Sequence, residues 1–254
     1  MRFVRYRAGN RAHYGIVVDG IVYAIAGQKP WKATHMASEP VGELAHMELL
    51  APCQPSKIIA LGRNYAAHAR EHGADVPAEP LLFLKAPSAI IGPGQPILLP
   101  PQSRQVEHES ELAVVIGRRA RAVSREAALN YVFGFTCGND VTARDLQSKD
   151  GQWARSKSFD SFCPLGPWIE TELDTRDLAV ACRVNGQTRQ SGRTSELIFD
   201  IPYLVSYISH MMTLLPGDVI MSGTPAGVSP IRAGDVVEVE VEGIGVLRNP
   251  VQVA

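Results

Sequence analysis

The chain has 254 residues, of which 45% are hydrophobic and 20% are Asp, Glu, Lys or Arg. This is an ordinary globular composition, with length for one well-filled core or a small module joined to a larger one. With 25 basic and 26 acidic residues the formal charge is −1, which gives no general electrostatic reason to bind nucleic acid or an anionic membrane. No apolar run reaches the roughly 18–20 residues that span a bilayer, and no signal-like stretch opens the chain, so a cytoplasmic location is expected.

The 18 prolines and 22 glycines punctuate short segments throughout, as a strand-rich α+β fold with many turns requires. Phe3–Tyr6 and Tyr14–Val18 read as strands, and Asp19-Gly20 as a turn into a third strand through Tyr23 and Ile25. These form a small antiparallel N-terminal module over residues 1–55. Val41–Leu50 is expected to be a helix before the Ala51-Pro52 break. A larger domain then fills residues 56–254. Lys57–Ala60 is a buried strand ending at Gly62, and a loop or short helix follows over Arg63–His72. Leu81–Lys85 is a strand, and Pro87–Pro101 a string of short extended pieces.

Glu107–Ile116 is the clearest strand, with Leu112, Val114 and Ile116 on alternate positions. Ser124 is a candidate N-cap for a short helix over Arg125–Leu129, and Tyr131–Cys137 is a buried strand. Ala179–Val184 enters a hairpin turn at Asn185-Gly186. Ile201–Leu215 is the best long helix, and Val219–Met221 and Asp235–Val241 are further strands. Cys53, Cys137, Cys163 and Cys182 form no CxxC pair and read as buried free thiols.

Two carboxylates stand out. In a strand, residues two apart share a face about 6–7 Å apart, so Glu109 and Glu111 lie side by side on a face that continues into Ala113 and Val115. Two close like charges need a proton, a cation or a basic residue to compensate them. Oxygen ligands of this kind suit Mg²⁺, Mn²⁺ or Ca²⁺, whereas a solvated surface strand accounts for them equally well from position alone. Asp140, after the buried-looking strand, is either an acid at a pocket rim or the cap of a helix beginning within Val141–Leu146. Arg144 lies one turn further on, and Asp145 is a structural acid. Lys157 suits a substrate carboxylate or a developing enolate, with a solvated lysine as the plain alternative.

His68 and Glu71 share a face if residues 65–72 are helical. A carboxylate beside an imidazole fixes its tautomer and raises its basicity, which suits activating water or moving a proton on carbon. His13, His35, His46 and His72 stand in no comparable sequence context. His108 reads as a supporting group. Thr224, in Gly223-Thr224-Pro225-Ala226-Gly227, either donates to a ligand or belongs to a plain turn.

Taken together, several stretches resemble the fumarylacetoacetate hydrolase family over about residues 56–252. They are Gly62-Arg63-Asn64-Tyr65 with His68, Glu109-x-Glu111-Leu112, Asn139-Asp140-Val141-Thr142-Ala143-Arg144-Asp145, Lys157-Ser158-Phe159-Asp160 and Gly223-Thr224-Pro225. The resemblance implies a mixed β-roll with short helices, a homodimer, and Mg²⁺ or Mn²⁺ held by Glu109, Glu111 and Asp140. It implies His68 with Glu71 as the dyad that positions water, and Lys157 beside an oxyanion. Arg63, Tyr65, Arg144, Gln147 and Thr224 are expected at the substrate, and residues 63–76 as a lid. The short N-terminal module is similar to that of bacterial members acting on small keto acids. The expected reaction is C–C hydrolysis of a 2,4-dioxo acid of acylpyruvate or fumarylpyruvate type. Oxaloacetate decarboxylation, isomerisation of a 2-hydroxyhepta-2,4-diene-1,7-dioate type diene, and metal-dependent keto-acid binding without turnover are the alternatives.

Overall fold

The structure is a computed structural model that describes residues 1–27, 29–33 and 35–254. In chain order, β1 (Arg2–Ala8), β2 (Arg11–Val18), β3 (Ile21–Ile25), β4 (Met36–Glu43) and β5 (Leu49–Leu50) form the N-terminal part. Then come β6 (Ile58–Gly62), α1 (Ala66–Glu71), β7 (Leu81–Lys85), β8 (Ile90–Ile91), β9 (Ile97–Leu99), β10 (Val106–Glu107) and β11 (Ser110–Ile116). Next are β12 (Val132–Asn139), β13 (Thr142–Ala143), α2 (Arg144–Asp150), α3 (Ala154–Lys157), β14 (Cys163–Glu170), β15 (Ala179–Val184) and β16 (Gln187–Arg193). The chain closes with α4 (Ile201–Met211), β17 (Val219–Met221), β18 (Val236–Val241) and β19 (Gly245–Val253).

The α+β, strand-rich class is as expected. Among the described residues a 12-stranded sheet runs β4-β3-β2-β1-β14-β12-β11-β17-β6-β7, with β5 on β1 and β8 on β14. A 5-stranded sheet, β16-β15-β18-β19-β9, packs against it. Most pairings are antiparallel; β17 with β6, β14 with β8 and β19 with β9 are parallel. The N-terminal strands continue the large sheet edge to edge, because β1 pairs β14 through Arg2↔Glu170 and Phe3↔Ile169. The N-terminal amine adds a 2.7 Å ion pair to Glu170.

Both faces of the central strands are covered, which explains why β11 is buried at every position. Leu112, Val114 and Ile116 join the core under α4, while Ala113 and Val115 join the opposite one. Helix α4 buries Ile201, Leu204, Val205, Ile208 and Ser209, the spacing of a single helical stripe. Asp200 caps it by accepting from the Tyr203 amide at 2.9 Å. The turns at Asp19-Gly20 and Asn185-Gly186 both have positive φ at each residue, as tight hairpins require. The four cysteines are free and buried. Among the described residues no helix is long and apolar enough to cross a membrane.

Two expected helices are absent. Val41–Leu50 divides into the end of β4, a 3₁₀ turn over Leu44–His46 and β5. A ten-residue helix is marginal without tertiary support, and the open edges of β3 and β1 offer backbone partners instead: Val22↔Gly42 and Arg5↔Leu50. Arg125–Leu129 is too short to nucleate; it forms turns and a 3₁₀ stretch over Ala128–Tyr131 that delivers the chain into β12. Helix α4 stops at Met211 rather than Leu215.

Candidate active site

The site begins with a break in a strand. β10 ends at Glu107 and β11 starts at Ser110, so His108 and Glu109 occupy a crossing between two pairings. β10 pairs β13 (Glu107↔Thr142), and β11 pairs β12 (Ser110↔Asn139). The Asp140 amide donates to the Glu109 carbonyl at 2.9 Å, and the Glu109 amide donates to Asn139 Oδ1 at 2.9 Å. These backbone bonds bring Asp140 beside Glu109. Asp140 therefore does not cap a helix; Thr142 and Ala143 are committed to β13 and α2 starts only at Arg144. Asp145 instead accepts from Ser103 Oγ and the Arg104 amide, a structural task.

Glu109, Glu111 and Asp140 each place a carboxylate oxygen within 4.8 Å of the other two, and all three are buried. Basic groups converge on them. Lys157 Nζ donates to Glu109 Oε2 at 2.8 Å and to Asp140 Oδ2 at 2.6 Å. Lys85 Nζ bonds Asp140 Oδ1 from the end of β7. Arg144 donates from Nη2 to Glu109 Oε1 at 2.5 Å, from Nε to Glu107 Oε2 at 2.8 Å and from Nη1 to Gln147 Oε1 at 2.6 Å. Lys157 is only 2% exposed, so the solvated alternative for it fails.

Burial would raise the Glu109 carboxyl, but Lys157 and Arg144 hold it well below the usual carboxylate range. Glu111 moves the other way: burial, with Asp140 and Glu109 nearby, pushes it well above that range. Its Oε2 accepts from the Gly223 amide at 2.8 Å, whereas Oε1 is buried with no partner. Four acids (Glu107, Glu109, Glu111, Asp140) thus face three cations (Lys85, Arg144, Lys157). With Glu111 holding its proton the other three acids balance these cations, so the orphaned Oε1, a fourth carboxyl that can still ionise and an all-oxygen donor set are what fit a hard divalent cation.

Above this cluster lies a cavity of about 240 Å³ lined by Leu61, Gly62, Arg63, His68, His72, Phe83, Glu109, Arg144, Gln147, Ser148, Trp153, Lys157 and Thr224. His68, on α1, is buried, and its Nδ1 lies 3.3 Å from Glu71 Oε2. Burial lowers its pKa, against the opposing pull of Glu109 and Glu71. Glu71 stands behind His68, its carboxylate accepting from the Gly227 amide at 3.1 and 3.2 Å. A groove of about 780 Å³ between β12, residues 171–176 and the start of α4 is larger, but it contains none of these groups.

Of the residues singled out in the sequence, Arg63, His68, Glu109, Arg144, Gln147, Lys157 and Thr224 line the cavity. Glu111 and Asp140 lie behind it with Glu71. Tyr65 is buried and pairs with Leu197 rather than lining the cavity; burial, then Glu111 and Glu196, raise its phenol. Four further residues belong to the site without a role expected for them from the sequence. Lys85 looks like any strand-end lysine. His72 packs edge-on against His68, with ring centroids 4.7 Å apart. Gln190 accepts on Oε1 from His108 Nδ1 and the Ser110 amide, and donates from Nε2 to Thr224 Oγ1 at 2.7 Å. That leaves the Thr224 hydroxyl its proton to donate to a ligand. Asn64 ties its loop to Phe199 and Ser222. Gln190 stands in no local motif and Asn64 only within Gly62-Arg63-Asn64-Tyr65, whereas His72 follows His68 by one helical turn.

A family profile described as fumarylacetoacetate (FAA) hydrolase C-terminal matches residues 57–252, and one described as Rv2993c-like, N-terminal matches residues 1–52. Protein Rv2993c of Mycobacterium tuberculosis is 48% identical over 250 residues, 92% of this chain and 94% of that protein. The mitochondrial oxaloacetate tautomerase FAHD2A of Bos taurus is 44% identical over 225 residues, 84% of this chain and 72% of that one. Among solved structures, the 5-carboxymethyl-2-hydroxymuconate delta-isomerase of Mycobacterium smegmatis superposes with a TM-score of 0.92 at 47% identity, covering 100% of both chains.

Proposed function

Because this chain belongs to the fumarylacetoacetate hydrolase family, we propose that it is a divalent-metal enzyme that moves a proton beside the oxo group of a small 2-oxo dicarboxylate, by way of its enolate. Tautomerisation of oxaloacetate and double-bond isomerisation of a 2-hydroxymuconate-type diene are the two forms of that reaction. One observation carries the reading: His68, backed by Glu71, lines the same small cavity as Lys157, Arg144 and Glu109. At about 240 Å³ the cavity lies below the roughly 300–1,000 Å³ of sites for drug-sized ligands, so a short acid suits it.

Glu109, Glu111 and Asp140 would hold Mg²⁺ or Mn²⁺. The ion's chemistry there is to polarise the oxo group and offset the charge of the enolate. Arg63 and Arg144 bind the carboxylates, and the Thr224 hydroxyl orients the acid. With Glu71 accepting from Nδ1, His68 Nε2 is the basic nitrogen that takes the proton from carbon and returns it. Lys157 keeps a positive charge beside the enolate oxygen. Phe83 and Trp153 exclude water from that wall.

Hydrolysis of a 2,4-dioxo acid, the reaction the sequence favours, is the second reading, since a carboxylate-backed imidazole also activates water. The isomerase and tautomerase names of close relatives move the weight to proton transfer. The homodimer and the division at residue 55 belong to the same proposal; the two family profiles meet between residues 52 and 57, and sedimentation of the purified chain tests the dimer.

The deciding experiment supplies purified protein with Mg²⁺ or Mn²⁺ and oxaloacetate, following loss of enol absorbance and deuterium uptake at the carbon beside the oxo group. Acetylpyruvate and fumarylpyruvate are assayed in parallel. Accelerated exchange without pyruvate release supports the proposal. Cleavage of the dioxo acids with no exchange on oxaloacetate replaces it with hydrolysis, and saturable binding with no turnover on any of them makes the chain a binding protein.

A further inference from the structure

We propose that His68, Glu71 and His72 form a second metal site at the exposed edge of the cavity, one that takes Zn²⁺ in preference to Mg²⁺. The sequence His68-Ala69-Arg70-Glu71-His72 puts three donors on one face of α1 and its C-terminal cap. One ligand atom from each lies within 4.8 Å of the other two.

The spacing inside the group is informative. His68 Nδ1 and Glu71 Oε2 are joined by a long hydrogen bond of 3.3 Å. Bonds of about 2.0–2.2 Å to a tetrahedral zinc put neighbouring ligand atoms roughly 3.4 Å apart, so the pair already has the edge length of such a site. His72 is exposed and has no side-chain partner among the described residues except the His68 ring. Turning it inward therefore gives up only the edge-on contact with the His68 ring. The Gly227 amide anchors the Glu71 carboxylate from outside, as groups behind metal ligands commonly do.

Two imidazoles and one carboxylate make a three-ligand set with a fourth position open to the cavity, which zinc accepts readily. Mg²⁺ demands six oxygens and is served by the carboxylate cluster below. The two sites thus separate by donor chemistry. Zinc on His68 would also withdraw the proposed base; that consequence rests on the function proposed above, but the binding does not.

The test measures Zn²⁺ binding calorimetrically to the full chain in saturating Mg²⁺, for the wild type, His72→Ala and Glu111→Gln. The wild type and Glu111→Gln should bind one Zn²⁺ equally, and His72→Ala at least about tenfold more weakly. Circular dichroism confirms that the variants fold. Co²⁺ added to Mg²⁺-saturated wild type provides a readout that needs no variant: strong visible bands mark a four-coordinate nitrogen-containing site. Equal zinc affinity in His72→Ala, loss of it in Glu111→Gln, or only the weak bands of octahedral cobalt each overturn the assignment.

Discussion

Lys157 Nζ lies 2.6 Å from Asp140 Oδ2, with both residues almost completely removed from solvent. A buried ion pair is weak evidence for stability, but breaking one partner leaves a stranded charge and typically costs about 3–5 kcal/mol. Lys157→Met should therefore lower the melting temperature in EDTA by about 2–4 °C for each kcal/mol lost. Because the variant leaves Glu109 and Asp140 short of a cation, added Mg²⁺ should recover more of its stability than it adds to the wild type. A variant that melts like the wild type in EDTA would show that Lys157 does not neutralise the cluster.

Metal binding should release a proton. In the metal-free protein burial, reinforced by Asp140 and Glu109, keeps the Glu111 carboxyl protonated well above its usual range, and a ligating carboxyl must be ionised. Mg²⁺ affinity should then rise with pH. Calorimetry in buffers of different ionisation enthalpy counts the protons directly, and a count of zero would remove Glu111 from the ligand set. Glu111→Gln should bind Mg²⁺ without that release, and more weakly.

The pH dependence of turnover should carry the mark of His68. Burial lowers its pKa from the ordinary value of about 6.5, so the neutral, basic form persists to lower pH than in a free imidazole. The acid limb of kcat/KM should fall below pH 6.5 and vanish in His68→Ala, with rates reduced by roughly 10²–10⁴. For stability the sign is the same: the contribution is present above the unfolded pKa and is lost as pH falls through the lowered folded value. An acid limb above 6.5 would assign it to another group.

Gly223 tests how the cluster is held from behind. Its φ is +100°, and an added Cβ would stand 2.7 Å from Asn64 Cβ. Its amide also bonds Glu111. Gly223→Ala should destabilise the fold by about 1–3 kcal/mol and weaken Mg²⁺ binding, since moving this amide moves Glu111. Unchanged metal affinity would mean that the ligand finds its place without Gly223.

The legible parts of the fold were those with local causes. β11, β18 and the Asn185-Gly186 hairpin follow from alternation and turn chemistry. The missing helices at Val41–Leu50 and Arg125–Leu129 have different causes: the backbone of the first is claimed by β3 and β1, whereas the second is too short to nucleate and makes only local turns. β4 exists because β3 offers an edge, and no property of Met36–Glu43 alone predicts that edge.

The candidate site divides along the same line. Glu109 and Glu111 were visible because strand geometry makes residues two apart neighbours, and His68 with Glu71 because helix geometry does so at three. Asp140 was ambiguous, since a cap and a buried ligand look alike until its backbone is seen bonded to Glu109. Lys85 and Gln190 left no trace.

Residue order alone was thus sufficient for the fold class and for two neighbouring pairs, Glu109 with Glu111 and His68 with Glu71. The tertiary structure decided which charges meet. Lys85, Glu109, Asp140 and Lys157 come from four separate stretches of chain, and they share one place because strand pairing and burial, both set by contacts distant in sequence, leave these charges to compensate one another.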